Sequence, residues 1–344
     1  MNDTFLKACR GESASHTPVW LMRQAGRYMK EYQEVRRKHD FWTMCKTPEL
    51  AAEVTLQPVD ILGVDAAILF SDILTVLEPM GQNVEFVEGR GPVVEGPVRD
   101  RQRAEALRVA DGDRDLGYVM EAVRLLRRKL EGRVPLIGFS GAPFTLATYM
   151  VEGGSSKNFM HTKTMMYRDP ALFCYLLDKI TDTVISYLKA QIRAGAQAVQ
   201  IFDSWAGALA PDDFRDFELP RIKRIVRTLK EADEAPVIYF ANGAAGLLDE
   251  LNETGADVIG VDWRVDIGRA AGALGKDHAL QGNLDPLALF LPEDGLREKT
   301  GAILEKAAPA KGHIFNLGHG IIPQTPVESA KALVRAVHEL SSRA

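Results

Sequence analysis

Hydrophobic positions along this chain follow two rhythms. Short, nearly unbroken apolar runs recur at 18–22 (PVWLM), 65–70 (DAAILF), 134–141 (VPLIGFSG), 196–202 (AQAVQIF), 235–240 (APVIYF), 256–263 (ADVIGVDW), 278–284 (HALQGNL) and 313–317 (HIFNL). Runs without polar alternation are what strands show when both faces of a parallel sheet are covered. The first and seventh are the least strand-like. Between the runs lie longer stretches with a helical period. In 169–194, Leu172, Leu176, Ile180, Val184, Leu188 and Ile192 return every fourth residue behind an Asp169-Pro170 start. The last such stretch opens with Thr325 as N-cap, Pro326 in the first turn and Glu328 at the capping-box position. Eight strands alternating with helices predict one α/β domain over 1–344, a (β/α)8 TIM-type barrel, with a doubly wound sheet as the alternative. The turn-rich segment 76–115 reads as an insertion after the second strand.

Such a barrel carries its chemistry at the C-terminal ends of its strands. Here those ends hold Arg23, Asp72, Ser140, Asp203 with Ser204, Asn242, Asp262, Asn283 with Asp285, and Asn316 with His319. None ends in Lys, which argues against a Schiff-base aldolase. Asp72 stands out. It follows five apolar residues, Ala66 to Phe70, and an ionised carboxylate left unpaired there costs several kcal/mol. It needs a cationic or hydrogen-bond-donating partner.

Three segments offer candidates. From Leu21 to His39 the cations Arg23, Arg27, Lys30, Arg36, Arg37 and Lys38 face only Glu31 and Glu34, so the segment carries +4 in a chain of net charge −5. Arginine suits a bidentate grip on carboxylate or phosphate; a solvated helix face with pairs such as Arg27–Glu31 is the alternative. In 138–159 (GFSGAPFTLATYMVEGGSSKNF), Gly138 and Gly141 could let backbone approach a flat ligand. Phe139, Phe144 and Tyr149 offer aromatic surface, and Gly153-Gly154-Ser155-Ser156 reads as a mobile loop. No dinucleotide fingerprint is present. Tyr149 fits either a ligand contact or plain core packing. In NLGHG (316–320), His319 could donate to an anion or act as acid or base, while Gly318 and Gly320 could expose amides to a phosphate. His313, at the strand's start, reads as structural.

Charge and composition narrow the partners. A net charge of −5 offers no footprint for nucleic acid or an anionic membrane. The three cysteines, Cys9, Cys45 and Cys174, have no paired spacing, which argues for a reducing compartment. The start has no continuous apolar h-region, and no run approaches the length of a membrane span, so a cytoplasmic protein is expected. No HxxxH, HxC or CxxC occurs, so no metal is expected.

Several motifs are longer than these fragments. PVWLMRQAGRYM, FSDIL, GFSGAPFTLATYMVEGG, QGNLDP and NLGHG, in that order, resemble the uroporphyrinogen decarboxylase family from about Thr17 to the C-terminal helix. The resemblance implies a single barrel, usually a homodimer, with no cofactor. The activity it implies is conversion of uroporphyrinogen III to coproporphyrinogen III, with release of four acetate carboxyls as CO2 in tetrapyrrole biosynthesis. By the same resemblance Arg23 and Arg27 hold substrate carboxylates, Gln24, Ala25 and Gly26 belong to the same binding loop, and Arg36 is a third arginine. Asp72 becomes the central carboxylate, Tyr149 its neighbour, Ser204 a pocket hydroxyl and His319 a substrate contact. Arg23, Arg27 and Asp72 are the catalytic candidates. The ligand implied has an anionic rim and a centre of four pyrrole N–H donors, which one carboxylate can accept together. Two rivals share the scaffold: a methyltransferase using zinc thiolates or a corrinoid, for which the cysteines are badly placed, and a non-catalytic tetrapyrrole carrier.

Overall fold

The computed structural model describes residues 3–87, 91–232 and 235–342. Seven parallel strands form one curled sheet in the order β1 (Ala67–Ile68), β4 (Leu136–Gly141), β5 (Ala198–Asp203), β6 (Val237–Ala241), β7 (Val258–Val261), β8 (Ala279–Gln281) and β9 (His313–Ile314). A separate antiparallel hairpin joins β2 (Val84–Val87) to β3 (Gly91–Val94). Seven of the eight predicted strands are therefore present. The parallel barrel architecture is the one expected, and the doubly wound alternative falls away.

The first predicted strand is reduced to a single bridge, Val19 to Phe315, but it closes the curl. Phe315 N–H donates to the Pro18 carbonyl (2.8 Å), and Asp65 N–H donates to the Val19 carbonyl (2.8 Å). Residues 18–20 thus lie between the two edges of the sheet. The ladder stops there because side chains take its amides. Val19 N–H goes to Asp65 Oδ2, Leu21 N–H to Gln24 Oε1 and Met22 N–H to Asn316 Oδ1. At Arg23 the backbone turns over with φ +60°, so no strand can continue.

The long helix appears at Pro170–Ala194, capped by Asp169, whose carboxylate accepts from Leu172 N–H (3.0 Å). All six residues of its predicted face are buried. The last helix runs Val327–Ser341, and its predicted cap is not made. Thr325 is buried with its hydroxyl unpartnered, and Glu328 pairs with Lys331 instead. Segment 76–115 folds as short helices and the hairpin; its residues 88–90 lie outside the described residues. The hairpin docks on the glycines that read as a mobile loop. Val94 N–H donates to the Gly153 carbonyl (3.0 Å), and Val93 bridges Gly154. Gly153 adopts φ +82° to end the helix Pro143–Glu152.

Candidate active site

The loop after residues 18–20 brings the arginines to the C-terminal mouth of the barrel. Its shape is set by Gln24, which is buried. Gln24 Nε2 donates to the Ala66 carbonyl (3.1 Å), its Oε1 accepts from Leu21 N–H, and Tyr28 hydroxyl donates to its carbonyl (2.7 Å). The side chain grouped above with the substrate contacts is spent on holding the loop. Ala25 and Gly26, in contrast, are partly exposed, and their N–H groups donate to no acceptor among the described residues. Arg23, Arg27 and Arg36 are exposed, and none pairs with a carboxylate among the described residues; the Arg27–Glu31 pair does not form. Arg36 Nη1 donates only to the His39 carbonyl (3.0 Å). Arg27 and Arg36 both lie close enough to Tyr32 to lower its phenol pKa against the upward push of burial. Tyr32 in turn packs edge-on against Phe70 (5.8 Å), two residues before Asp72.

Asp72 lies four residues past the end of β1. Its Oδ1 accepts from Leu74 N–H (2.8 Å) and caps the 3-10 turn Ile73–Val76. Its Oδ2 accepts no hydrogen bond within the described residues. Burial raises the carboxyl pKa, and the Leu74 N–H and the Arg23 charge only partly offset this. Tyr149, on the helix Pro143–Glu152, is close enough to Asp72 for that negative charge to add to burial in raising its phenol pKa. Its ring stands 6.1 Å from Trp205, beside Ser204 at the end of β5. His319 faces the edge of Trp263 at 6.3 Å. Burial pushes its pKa down to about 4, and the positive charges of Arg23 and Arg264 add to the shift. Arg23 therefore acts electrostatically on Asp72, Tyr149 and His319 together, and the four form one constellation.

The NLGHG glycines serve this packing and hold no phosphate cradle. A Cβ at Gly320 would meet Arg23 Cδ at 2.4 Å, and one at Gly318 would meet Trp263 N at 2.3 Å. Gly138 and Gly141 likewise admit Gln191 and Leu146, leaving no bare backbone for a flat ligand. Several strand-end residues prove to be supports. Asp262 accepts from Gly243, Ala244 and Arg264 N–H, and Asn316 Oδ1 from Met22 and Leu317 N–H. Asn283 Nδ2 donates to the carbonyls of Asp262 and Val265. Asp203 accepts from Thr145 Oγ1 (2.6 Å) and Tyr239 hydroxyl (2.7 Å), and burial raises its pKa to about 6. Glu218, missed in the sequence because it lies mid-helix with no motif around it, is buried beside Asp203. Burial and that charge push its pKa well up, and Phe144 N–H donates to it (3.0 Å). The pair ties β5 to the helix carrying Tyr149.

Fold and site together define a parallel α/β barrel with a carboxylate, Asp72, under the charge of Arg23, and with Arg27 and Arg36 exposed and free of carboxylate partners among the described residues. The protein-family model described as Uroporphyrinogen decarboxylase (URO-D) matches residues 1–340. Curated relatives named uroporphyrinogen decarboxylase include one from Desulfotalea psychrophila, 58% identical over 343 residues and covering 100% of each chain. Another, from Carboxydothermus hydrogenoformans, is 57% identical over 342 residues, 99% of this chain and 97% of its own. The solved structure of a methyltransferase from Methanosarcina mazei shares the fold at TM-score 0.81 and 24% identity, over 98% of both chains. The chain belongs to the uroporphyrinogen decarboxylase family.

Proposed function

We propose that this enzyme decarboxylates the four acetate side chains of uroporphyrinogen III in tetrapyrrole biosynthesis, giving coproporphyrinogen III and four CO2 without a cofactor. The observation that carries the reading is the full-length family match. Arg23, Arg27 and Arg36 suit the anionic rim, helped by the free N–H groups of Ala25 and Gly26. Asp72 Oδ2 suits the pyrrole N–H groups at the centre.

Each decarboxylation needs a sink for the electron pair of the broken C–C bond. Protonation of a ring carbon beside the acetate makes the pyrrole cationic, and the pair flows into it as CO2 leaves. Protonation of the exocyclic carbon, with return of the ring proton, leaves a methyl group. One proton is consumed per CO2. Asp72 favours the cationic ring over the neutral substrate, so its stabilisation is greatest where the barrier lies. A carboxylate already resisting ionisation gains most when that cation forms. Tyr149 and His319 face it as neutral hydrogen-bond donors, and Ser204 lines the pocket.

A homodimer in the cytoplasm completes the proposal. No described helix is long and apolar enough to cross a membrane. A thiolate-zinc methyltransferase reading gains nothing from the shared fold. Cys9 and Cys45 are buried with their thiol pKa values pushed far up, and no cysteine joins a metal-ligating cluster among the described residues. Turnover of uroporphyrinogen, followed after oxidation as loss of the fluorescent octacarboxylate porphyrin, tests the reading. An unchanged octacarboxylate pool would refute it.

A further inference from the structure

The opposite, N-terminal end of the barrel carries a second cluster of chemistry-bearing side chains that the decarboxylation does not use. Asp65 lies two residues before β1, on the side opposite Asp72, and it is 2% exposed. His16 Nε2 lies 3.2 Å from Asp65 Oδ1, and His338 Nε2, from the last helix, lies 2.7 Å from Oδ2. The two imidazoles meet edge to face at 4.6 Å. One ligand atom from each of the three residues lies within 4.8 Å of the others. Both histidine side chains keep an opening to solvent, at 20% and 32% exposure.

We propose that His16, Asp65 and His338 form a binding site for a divalent late-transition metal, of the zinc, cobalt or nickel class. Two imidazoles and one carboxylate are the donor set such ions prefer, whereas magnesium and calcium favour oxygen-only sites. Metal–ligand bonds near 2.0–2.1 Å set ligand spacings of roughly 3.3 Å. The His16–Asp65 distance of 3.2 Å already matches that value, while His338, at 2.7 Å, must draw back slightly; rotation of the two partly exposed histidines makes both adjustments. Binding exchanges two N–H···O contacts for metal bonds: each imidazole offers its Nε2 lone pair, and that proton moves to Nδ1 or to solvent. Ser15 Oγ stands 3.0 Å from His16 Nδ1, placed to accept a hydrogen bond from Nδ1–H and so fix the tautomer that leaves Nε2 free. Asp65 Oδ2 keeps the Val19 N–H (2.9 Å). The scaffold is tied independently, since Thr17 N–H donates to Ser341 Oγ (2.9 Å) across the same junction. Water fills the fourth position. The ion would pin the first strand, the second strand and the last helix together, at the end of a barrel that serves stability and away from catalysis.

The test uses the full chain, stripped by chelator dialysis, with cobalt(II) and zinc(II) as probes. Wild type is expected to take up one equivalent of cobalt with the visible spectrum of a four-coordinate ion. Its Tm should rise by about 4 °C when free zinc is a hundredfold above Kd. His16→Gln and His338→Gln should each lose both responses, while His161→Gln, on the helix Met160–Arg168, keeps them. Turnover should be the same with and without zinc. No cobalt spectrum in wild type, or an undiminished zinc shift in either cluster variant, overturns the proposal and leaves a purely hydrogen-bonded clamp.

Discussion

Replacing Asp72 by Asn probes the site at one atom. The 3-10 turn asks only for an acceptor, and the Asn carbonyl can take the Leu74 N–H at the same 2.8 Å, so the local fold should survive. What disappears is the charge, and in place of Oδ2 stands an NH2 group that meets pyrrole N–H donors head on. Losing two charge-assisted hydrogen bonds, each worth about 1.5–3 kcal/mol, removes about 3–6 kcal/mol of transition-state stabilisation. That corresponds to a fall of about 10²- to 10⁴-fold in kcat/KM. Stability should move the other way. Burial raises the carboxyl pKa of Asp72 in the folded state, so the native protein binds this proton more tightly than the unfolded chain does. The resulting stability is complete below the unfolded pKa and is lost as pH rises through the folded one. At pH 7 wild type bears that loss and the Asn variant does not, so its Tm should match or exceed wild type. The gain should fade as pH falls into the carboxylate range. Turnover and melting curves from one preparation decide the matter: a folded Asn variant with near-wild-type turnover would mean that Asp72 serves the barrel and not the substrate.

Arg23→Ala and Arg27→Ala should each lower kcat/KM by about ten- to a hundredfold, the loss of one charge-assisted contact of about 1.5–3 kcal/mol, with little change in Tm. Wild-type kinetics in both would return them to a solvated face. Gly320→Ala should reproduce the Arg23→Ala defect, because its Cβ would stand 2.4 Å from Arg23 Cδ; normal kinetics would show that Arg23 need not lie there. His319, with its pKa lowered to about 4, is neutral at working pH. The unfolded chain binds its proton more tightly, so wild type should lose stability as pH falls from about 6.5 towards 4. His319→Asn should flatten that limb, and an unaltered pH–stability curve refutes the assignment. Exhaustive dialysis against chelator should leave activity intact; activity that returned only with a divalent ion would overturn the cofactor-free mechanism.

Much of this architecture is local in origin, and the sequence alone determines it. Unbroken apolar runs of β-branched and aliphatic residues, alternating with a four-residue apolar period, specify buried parallel strands and their crossover helices wherever the pattern is strong, as at 134–141, 196–202 and 169–194. Asp72 was legible for the same reason: a carboxylate at the end of an apolar run has no local partner, whatever its surroundings. Where tertiary contacts outweigh local pattern, the structure departs from it. The first strand shrank to a bridge because Asp65, Gln24 and Asn316 claim its amides from 3 to 294 residues away. The glycines of 138–141 and 316–320 suggested ligand cradles, yet only the packed structure shows that they admit Gln191, Leu146, Trp263 and Arg23. The Asp203–Glu218 pair and the His16–Asp65–His338 cluster have no motif at all. Asp203 and Glu218 meet only through burial of the helix that follows β5, whereas the members of the histidine cluster stand 49 and 273 residues apart, and only closure of the barrel, with the last helix folded back over its first strands, makes them neighbours.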